Sequence, residues 1–264
     1  MLFRSDRRLE ASKAGDWEAL EALCAPTLVV DDRRRGMRNT GGRDLLIAND
    51  RYVFSRGAQL THRVLATYGD RLALQHHTWR EADGAAPFEI ETLGLVEVDA
   101  GGRIVAIMSF DPDDRCAAST ELVERYARTD AARMPVSAIE VLRALNDHDL
   151  HRARAALPDD YVFHDHRRTG LGRLASADEY IASVAAMLEL TPDGRTEDLY
   201  QIAAEKHGRL SVARTFGTNT EGGEFESLYV RLSLYRGDRL AETELFELED
   251  LDAARARFEE LAEP

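Results

Sequence analysis

The chain has 264 residues, and its 48 acidic residues outnumber its 34 basic residues, which gives a formal net charge of −14 at pH 7. This surplus of negative charge repels phosphate backbones and argues against a nucleic-acid-binding protein. The sequence also lacks any apolar run close to the roughly 20 residues that span a membrane, so we expect a cytoplasmic protein that binds neither nucleic acid nor membrane.

The first half of the chain predicts a helix, a short strand, a second helix and then several strands. Asp16 is a predicted N-cap within the first helical stretch, and the β-branched segment 27–30 predicts a strand that runs into Asp31 and Asp32. Asp44 is the predicted cap of the second helix, which continues to about Arg56. Four strands are predicted at 59–68, 71–79, 88–99 and 103–110, with a turn at 83–84 and a helix at 115–128.

The chain then repeats itself. The segment AGDWEALEALCAPTLVVDDRRR, which starts at Ala14, aligns without a gap with DHDLHRARAALPDDYVFHDHRR, which starts at Asp147, at a shift of 133 (165 − 32). GDRLAL matches HGRLSV, and GGRIVAIMSFDPDDRCAA matches GDRLAETELFELEDLDAA, in the same order. Three ordered matches predict two domains, 1–130 and 135–264, joined in the segment RTDAARMP.

The second half predicts the same elements. Helices are expected at 137–157 and 177–190 and from about Asp250, a short strand at YVFH, and further strands at 197–205, 210–218, 225–235 and 239–246. An antiparallel sheet with helices on one face defines the α+β class.

This element order, and segments such as VVDDRRRG and FHDHRRTG, resemble the SnoaL-like branch of the nuclear-transport-factor-2-like (NTF2-like) superfamily, present twice. The resemblance implies two tandem cone-shaped domains, each with a curved sheet and helices around a mainly apolar pocket. It extends to the C-terminal segment of large actinobacterial proteins with cyclase, ATPase or regulator modules, which implies that the chain is part of a longer protein. Superfamily members often dimerise through their sheets, so we also expect the two repeats to form an intramolecular pseudo-dimer.

Two carboxylates are the main catalytic candidates. Asp32 and Asp165 end the first strand of each repeat, where ketosteroid-isomerase-like members carry their proton-shuttling acid. An acid at the rim of an apolar pocket has a raised pKa and can act as a general base. The alternative is an acid that accepts N–H groups in the turn and is held ionised by the neighbouring arginines.

The second acid of the isomerase dyad is expected near Gly94 and near Val230. Neither residue can donate a hydrogen bond from its side chain, so the sequence predicts an incomplete dyad.

Other candidates have structural alternatives. Arg34 and Arg167 could bind an anionic group of a ligand, or could pair with surface acids. His166 is a candidate ligand-binding residue, although neighbours along a strand face opposite sides, which would separate it from Asp165. Tyr161 could line the pocket or simply pack in the core.

One of His76 and His77 must face inward, because neighbouring residues of a strand alternate; we take His76 as a ligand-binding candidate. No third ligand at metal spacing accompanies them, so we expect no metal site there. Glu244 is a candidate pocket acid or a solubility feature of an edge strand. The two cysteines, Cys24 and Cys116, are predicted to be free thiols in helices.

The sequence therefore supports two functions. The first is a binding or sensing module for a small, largely apolar ligand. The second is a cofactor-independent acid–base enzyme of the isomerase, dehydratase, cyclase or epoxide hydrolase type, using Asp165 or Asp32.

Overall fold

A computed structural model describes residues 2–81, 88–128 and 134–261. The chain divides into two compact units, Met1–Leu122 and Val123–Pro264. The division falls inside a helix, whereas the sequence placed it between residues 130 and 135. Most of the predicted linker (129–133) and the predicted turn at 83–84 lie outside the described residues.

Within residues 2–81 and 88–110, unit 1 contains three helices and six strands, and a further helix leads into unit 2. Its elements are α1 (Leu2–Ala14), α2 (Trp17–Leu23), β1 (Cys24–Asp32), β2 (Asn39–Gly41), α3 (Arg43–Phe54), β3 (Gln59–Tyr68), β4 (Leu72–Glu81), β5 (Phe88–Val98), β6 (Ile104–Phe110) and the start of α4 (Arg115–Ala127). The strands pair in the order β2-β1-β6-β5-β4-β3, with β1 and β6 parallel and the other neighbours antiparallel.

Unit 2 has the same order of elements. They are α5 (Val136–Asn146), α6 (Leu150–Ala156), β7 (Val162–Asp165), β8 (Gly172–Leu174), α7 (Ala177–Leu190), β9 (Arg195–Glu205), β10 (Gly208–Thr218), β11 (Glu224–Arg236), β12 (Arg239–Phe246) and α8 (Leu251–Glu260). Its strands pair in the order β8-β7-β12-β11-β10-β9. The predicted α+β class, with the same order of elements in two successive units, is confirmed.

The first helical stretch of each unit is broken in two, which the sequence analysis did not predict for unit 2. Gly15 has a φ of 69°, and His148, at the equivalent position, has a φ of 58°. Each is followed by an aspartate that caps the next helix: Asp16 accepts from Ala19 N, and Asp149 accepts from Arg152 N. A histidine in the left-handed region gave no sequence signal for the break, because this conformation favours glycine.

Two local predictions for unit 1 were wrong, and one short strand was missed in each unit. Asp44 does not cap α3; Gly42 occupies that position, and Asp44 lies in the first turn. Cys24 opens β1 and is not helical, although it is a free thiol as expected. The short strands β2 and β8 were missed because three residues carry too little pattern to be recognised.

The helices cover one face of the sheet in each unit. In unit 1, Leu20 of α2 and Leu46 of α3 pack with Val96 and Val98 of β5. In unit 2, α5 and α7 cover the equivalent face, while Phe258 of α8 packs against the opposite face with Val230. β-bulges interrupt β9 to β12 and bend the strands, as a curved sheet requires. None of the helices described is long and apolar enough to cross a membrane.

Candidate functional site

A cavity of about 490 Å³ lies in unit 2, between helices α5 and α7 and the sheet face that they cover. Its apolar wall comes from both helices and from the strands. Residues of this wall include Val141, Leu142, Leu145, Tyr161, Phe163, Tyr180, Val184, Met187, Phe225, Tyr229, Leu240 and Leu245. The volume falls within the range that small-molecule sites of proteins show, roughly 300–1,000 Å³.

Aromatic rings make one part of the wall rigid. The Tyr180 ring lies 5.1 Å from the Tyr161 ring and 5.0 Å from the Phe163 ring, centroid to centroid. Burial raises the pKa of Tyr180 to about 12 and raises the pKa of Tyr161 as well. Both phenols are therefore neutral at physiological pH. The predicted placement of Tyr161 at the pocket agrees with this geometry.

Asp165 lines the cavity and forms a bidentate ion pair with Arg167. Its Oδ1 accepts from Arg167 Nε at 2.8 Å, and its Oδ2 accepts from Arg167 Nη2 at 2.8 Å. Arg167 Nη1 donates to Ser227 Oγ at 2.9 Å, and the guanidinium lies 4.9 Å from the Tyr229 ring centroid. The arginine thus joins the acid to the strand wall of the cavity.

The charge state of Asp165 follows from these contacts. Burial alone would raise the pKa of its carboxyl, but the hydrogen bonds and charge of Arg167, with backbone donors of Arg167 and Leu171, lower the pKa below its ordinary value. A carboxylate that is ionised and bound on both oxygens is a weak proton acceptor. The geometry therefore favours a structural or ligand-orienting role over a general base.

A second polar cluster in the cavity wall was not among the sequence candidates. Arg209 of β10 and Arg231 of β11 both contribute to the lining, and both bind the buried carboxylate of Asp198 on β9. Arg209 Nη2 lies 2.6 Å from Asp198 Oδ2. Strand alternation could have indicated it, because Arg231 shares a face with Tyr229 and Tyr235.

Two tyrosine hydroxyls complete the polar groups. Tyr229 Oη lies 2.8 Å from Thr215 Oγ1, which in turn lies 3.0 Å from Thr196 Oγ1. The hydroxyl of Tyr235 is buried and has no hydrogen-bond partner among the described residues. An unpaired buried hydroxyl costs about 1–3 kcal/mol, so its removal should not destabilise the unit.

Strand register corrects one equivalence between the repeats. Gly94 faces Ser109 in unit 1, and Arg231 faces Leu245 in unit 2. Ser109 and Leu245 are themselves equivalent, since each pairs with the aspartate that ends the first strand of its unit. The counterpart of Gly94 is therefore Arg231 and not Val230, which packs on the opposite face.

The unit 1 candidates are an Asp–Arg pair like that of unit 2 and a separate histidine on β4. Arg34 binds Asp32 through Nε at 2.9 Å and Nη2 at 2.6 Å, repeating the Asp165–Arg167 pair. The Asp32 side chain is 15% exposed, against 1% for Asp165. Of the two adjacent histidines, His77 is the buried one, and His76 lies half-buried with its Nε2 3.7 Å from Glu91.

Polar side chains occupy the interior of unit 1. Asp50 of α3 accepts from Arg8 at 3.0 and 3.2 Å and from Ser12 Oγ at 2.7 Å, and Asp50 is 3% exposed. The His77 ring packs against Gly94. A Cβ atom at position 94 would lie 2.4 Å from His77 Cε1, which is too close for any residue other than glycine without a shift of the ring. Burial lowers the pKa of His77 to about 3, and the charge of Arg8 adds to this effect.

His166 and Glu244 lie together but away from the cavity. His166 Nε2 is 2.7 Å from Glu244 Oε2, and Glu244 Oε1 accepts from Arg257 of α8 at 3.1 Å. Glu244 therefore lies on the sheet face that α8 covers, opposite the face that lines the cavity. These two candidates are close to each other and apart from Asp165 and Tyr161, as strand alternation had suggested for His166.

No family model and no curated protein matches the chain. Several solved structures are similar to it over less than half its length. The Mycobacterium tuberculosis protein RV0760c, solved with estradiol-17beta-hemisuccinate, is 18% identical, with 41% of this chain and 90% of that chain covered and a TM-score of 0.36. An NTF2-like protein of unknown function from Burkholderia pseudomallei is 18% identical, with 48% and 95% covered and a TM-score of 0.37.

An LEH-like epoxide hydrolase of Mycobacterium tuberculosis is also 18% identical, with 40% of this chain and 78% of that chain covered and a TM-score of 0.33. Similarity at this level identifies neither a ligand nor a reaction. Function is therefore inferred from the cavity itself.

Proposed function

We propose that unit 2 binds one small, largely apolar molecule in its cavity and acts as a binding or sensing module. The observation that carries this proposal is the cavity of about 490 Å³, whose wall is mostly aliphatic and aromatic. Burial of an apolar ligand against this wall stabilises the complex by about 25 cal/mol of free energy for each Å² of apolar surface removed from water.

The polar groups of the wall specify what the ligand carries. Arg167, Arg231 and Tyr229 line the cavity and carry hydrogen-bond donors, which favours a ligand with an acceptor such as a carbonyl, hydroxyl or carboxylate oxygen. The ligand we expect is thus an apolar skeleton with at least one oxygen acceptor.

The ion pair of Asp165 supports binding over acid–base catalysis. Among the described residues, Asp165 is the one acid that lines the cavity, and Arg167 binds both of its oxygens. A general base needs a free lone pair and a pKa near the working pH. The enzyme alternative would require the ligand to displace Arg167 from the carboxylate.

A cavity-filling substitution tests the proposal. Val184 of α7 lines the cavity, and Glu189 lies on the exposed face of the same helix. We expect Val184→Trp to weaken binding of the fluorescent probe 1-anilinonaphthalene-8-sulfonate at least about tenfold, because the indole fills the space the probe needs. Glu189→Trp should leave the affinity unchanged. Equal affinity in both variants would refute a site in this cavity.

The remaining sequence-based expectations stay predictions: a cytoplasmic location, a pseudo-dimer of the two repeats, and a place in a longer protein. Native mass spectrometry of the protein purified from cells would also show whether an apolar metabolite is retained.

A further inference from the structure

A cluster of two histidines and one glutamate lies on the sheet face of unit 2 opposite the cavity. His164 and His166 are two residues apart on an extended segment, so their side chains leave the same face. Glu244 of β12 stands directly beside His164 in the parallel register of β7 and β12. Glu244 and His166 are 78 residues apart in sequence, which explains why spacing alone did not reveal the set.

The three side chains converge. One potential ligand atom from each lies within 4.8 Å of the others. The two imidazole centroids are 3.7 Å apart, and the His166 ring stacks on Phe246 at 4.5 Å with an interplanar angle of 16°. The backbone N–H of His166 donates to Leu245 O at 2.9 Å, which fixes the start of the segment that follows the strand.

We propose that His164, His166 and Glu244 form a binding site for a divalent transition-metal ion of the Zn²⁺ type. Two imidazoles and one carboxylate are a donor set that Zn²⁺ and its neighbours prefer, whereas Mg²⁺ and Ca²⁺ prefer oxygen ligands alone. Three protein ligands would leave the fourth tetrahedral position to water, and the His166 side chain is 32% exposed, so the site is open to solvent.

The surroundings suit a bound cation. Glu244 is 3% exposed and its Oε1 is already occupied by Arg257, which orients the carboxylate and leaves Oε2 for the metal. The metal would replace the hydrogen bond between His166 and Glu244.

Unit 1 serves as an internal comparison. At the positions of His164, His166 and Glu244 it has Asp31, Arg33 and Met108. There Arg33 Nε donates to Asp31 Oδ2 at 2.8 Å, so an ion pair takes the place of the histidines. The full ligand set is thus present in one repeat, and we expect one metal ion per chain.

The test is a Zn²⁺ titration of the full chain, stripped of metal by dialysis against a chelator, in competition with a chromophoric chelator. We expect one Zn²⁺ per chain and a rise in Tm on loading. His164→Asn and His166→Asn should each weaken binding at least about tenfold, whereas His151→Asn, at an exposed position of α6, should have no effect. Co²⁺ should give the visible absorption of a tetrahedral complex.

Glu244→Gln separates loss of metal binding from loss of the fold. Its amide oxygen can still accept a hydrogen bond from Arg257 or His166, but it is a poor metal ligand. A folded Glu244→Gln chain that has lost Zn²⁺ binding would support the site. The proposal is overturned if the wild-type chain binds no more Zn²⁺ than the His164→Asn/His166→Asn double variant. It is likewise overturned if folded Glu244→Gln binds as tightly as the wild type.

Discussion

The two units share an order of helices and strands, yet their interiors differ. Arg8 and Ser12 of unit 1 correspond to Val141 and Leu145 of unit 2 at the shift that aligns the two helix breaks. When α3 and α7 are aligned at their N-cap residues, Gly42 and Ser176, Asp50 corresponds to Val184. A buried polar trio in one unit therefore stands where three cavity-lining apolar residues stand in the other.

A second difference lies on the sheet. Unit 1 has Gly94, against which His77 packs, where unit 2 has Arg231. The fold depends on caps, turns and strand pairing that both units keep. Function depends on a few inward-facing side chains, which can change without altering these caps, turns and strand pairs. A shared fold therefore does not imply a shared activity of the two repeats.

The strongest expected effect concerns the polar trio. Asp50→Ala would leave the Arg8 guanidinium buried without its carboxylate, and we expect a loss of about 3–5 kcal/mol in the free energy of unfolding. Val184→Ala should cost about 1 kcal/mol or less, because the side chain borders an open cavity and loses few contacts. Urea denaturation of the full chain measures both. Similar losses in the two variants would show that the two interiors do not differ in this way.

The repeated Asp–Arg pair should also respond unequally. Asp165→Asn removes a carboxylate that is 1% exposed, whereas Asp32 is 15% exposed. We expect losses of about 2–3 kcal/mol and about 1 kcal/mol, since solvent screens the more exposed pair. Urea midpoints give the comparison. Probe binding should survive Asp165→Asn, and a large loss of turnover on a discovered substrate would instead restore the enzyme hypothesis.

The buried histidine of unit 1 predicts a pH dependence. The pKa of His77 is about 3 in the folded chain, below its ordinary value of 6.5, so at intermediate pH the unfolded chain binds a proton that the folded chain does not. Stability should therefore fall as pH drops, by about 2 kcal/mol between pH 7 and pH 5. His77→Gln should remove this part of the slope, and half-buried His76→Gln should retain it. An unchanged slope in His77→Gln would contradict the assignment.

The smallest expected effect concerns Tyr235, whose counterpart in unit 1 is Val98. Tyr235→Phe removes a buried hydroxyl without a partner, so stability should stay the same or rise by up to about 1 kcal/mol. Tyr229→Phe removes a hydroxyl bound to Thr215 and should cost about 1 kcal/mol. The Tm values of the two variants, measured by thermal denaturation, test this difference. A marked loss in Tyr235→Phe would mean that its hydroxyl is already satisfied.

Much of the fold could be predicted from the sequence because turns and alternating strands leave local signals. The strand at 59–68, the helix at 177–190 and the strand at 239–246 have the predicted bounds. The break at His148 was missed because a histidine does not mark a left-handed backbone, although the gapless alignment places Asp149 over the capping Asp16.

The candidate site could be predicted only in part. Asp165, Arg167 and Tyr161 do line the cavity. Strand alternation could have indicated Arg231 of the Asp198 cluster, whereas the Asp50 trio depends on how α1 and α3 dock, which no local pattern records. The one-residue offset that had aligned Gly94 with Val230 arose in the hairpin turn, because five residues separate Val98 from its partner Ile104 and four separate Tyr235 from its partner Leu240.

Hydrogen–deuterium exchange of the full chain, with and without 1-anilinonaphthalene-8-sulfonate, tests the contrast between the two interiors most directly. Saturating probe should slow exchange in α5, α7 and β11 of unit 2, and it should leave α1, α3 and β5 of unit 1 unchanged. Protection of α1, α3 and β5 to the same degree, or protection in neither unit, would contradict the contrast between the cavity of unit 2 and the polar trio of unit 1.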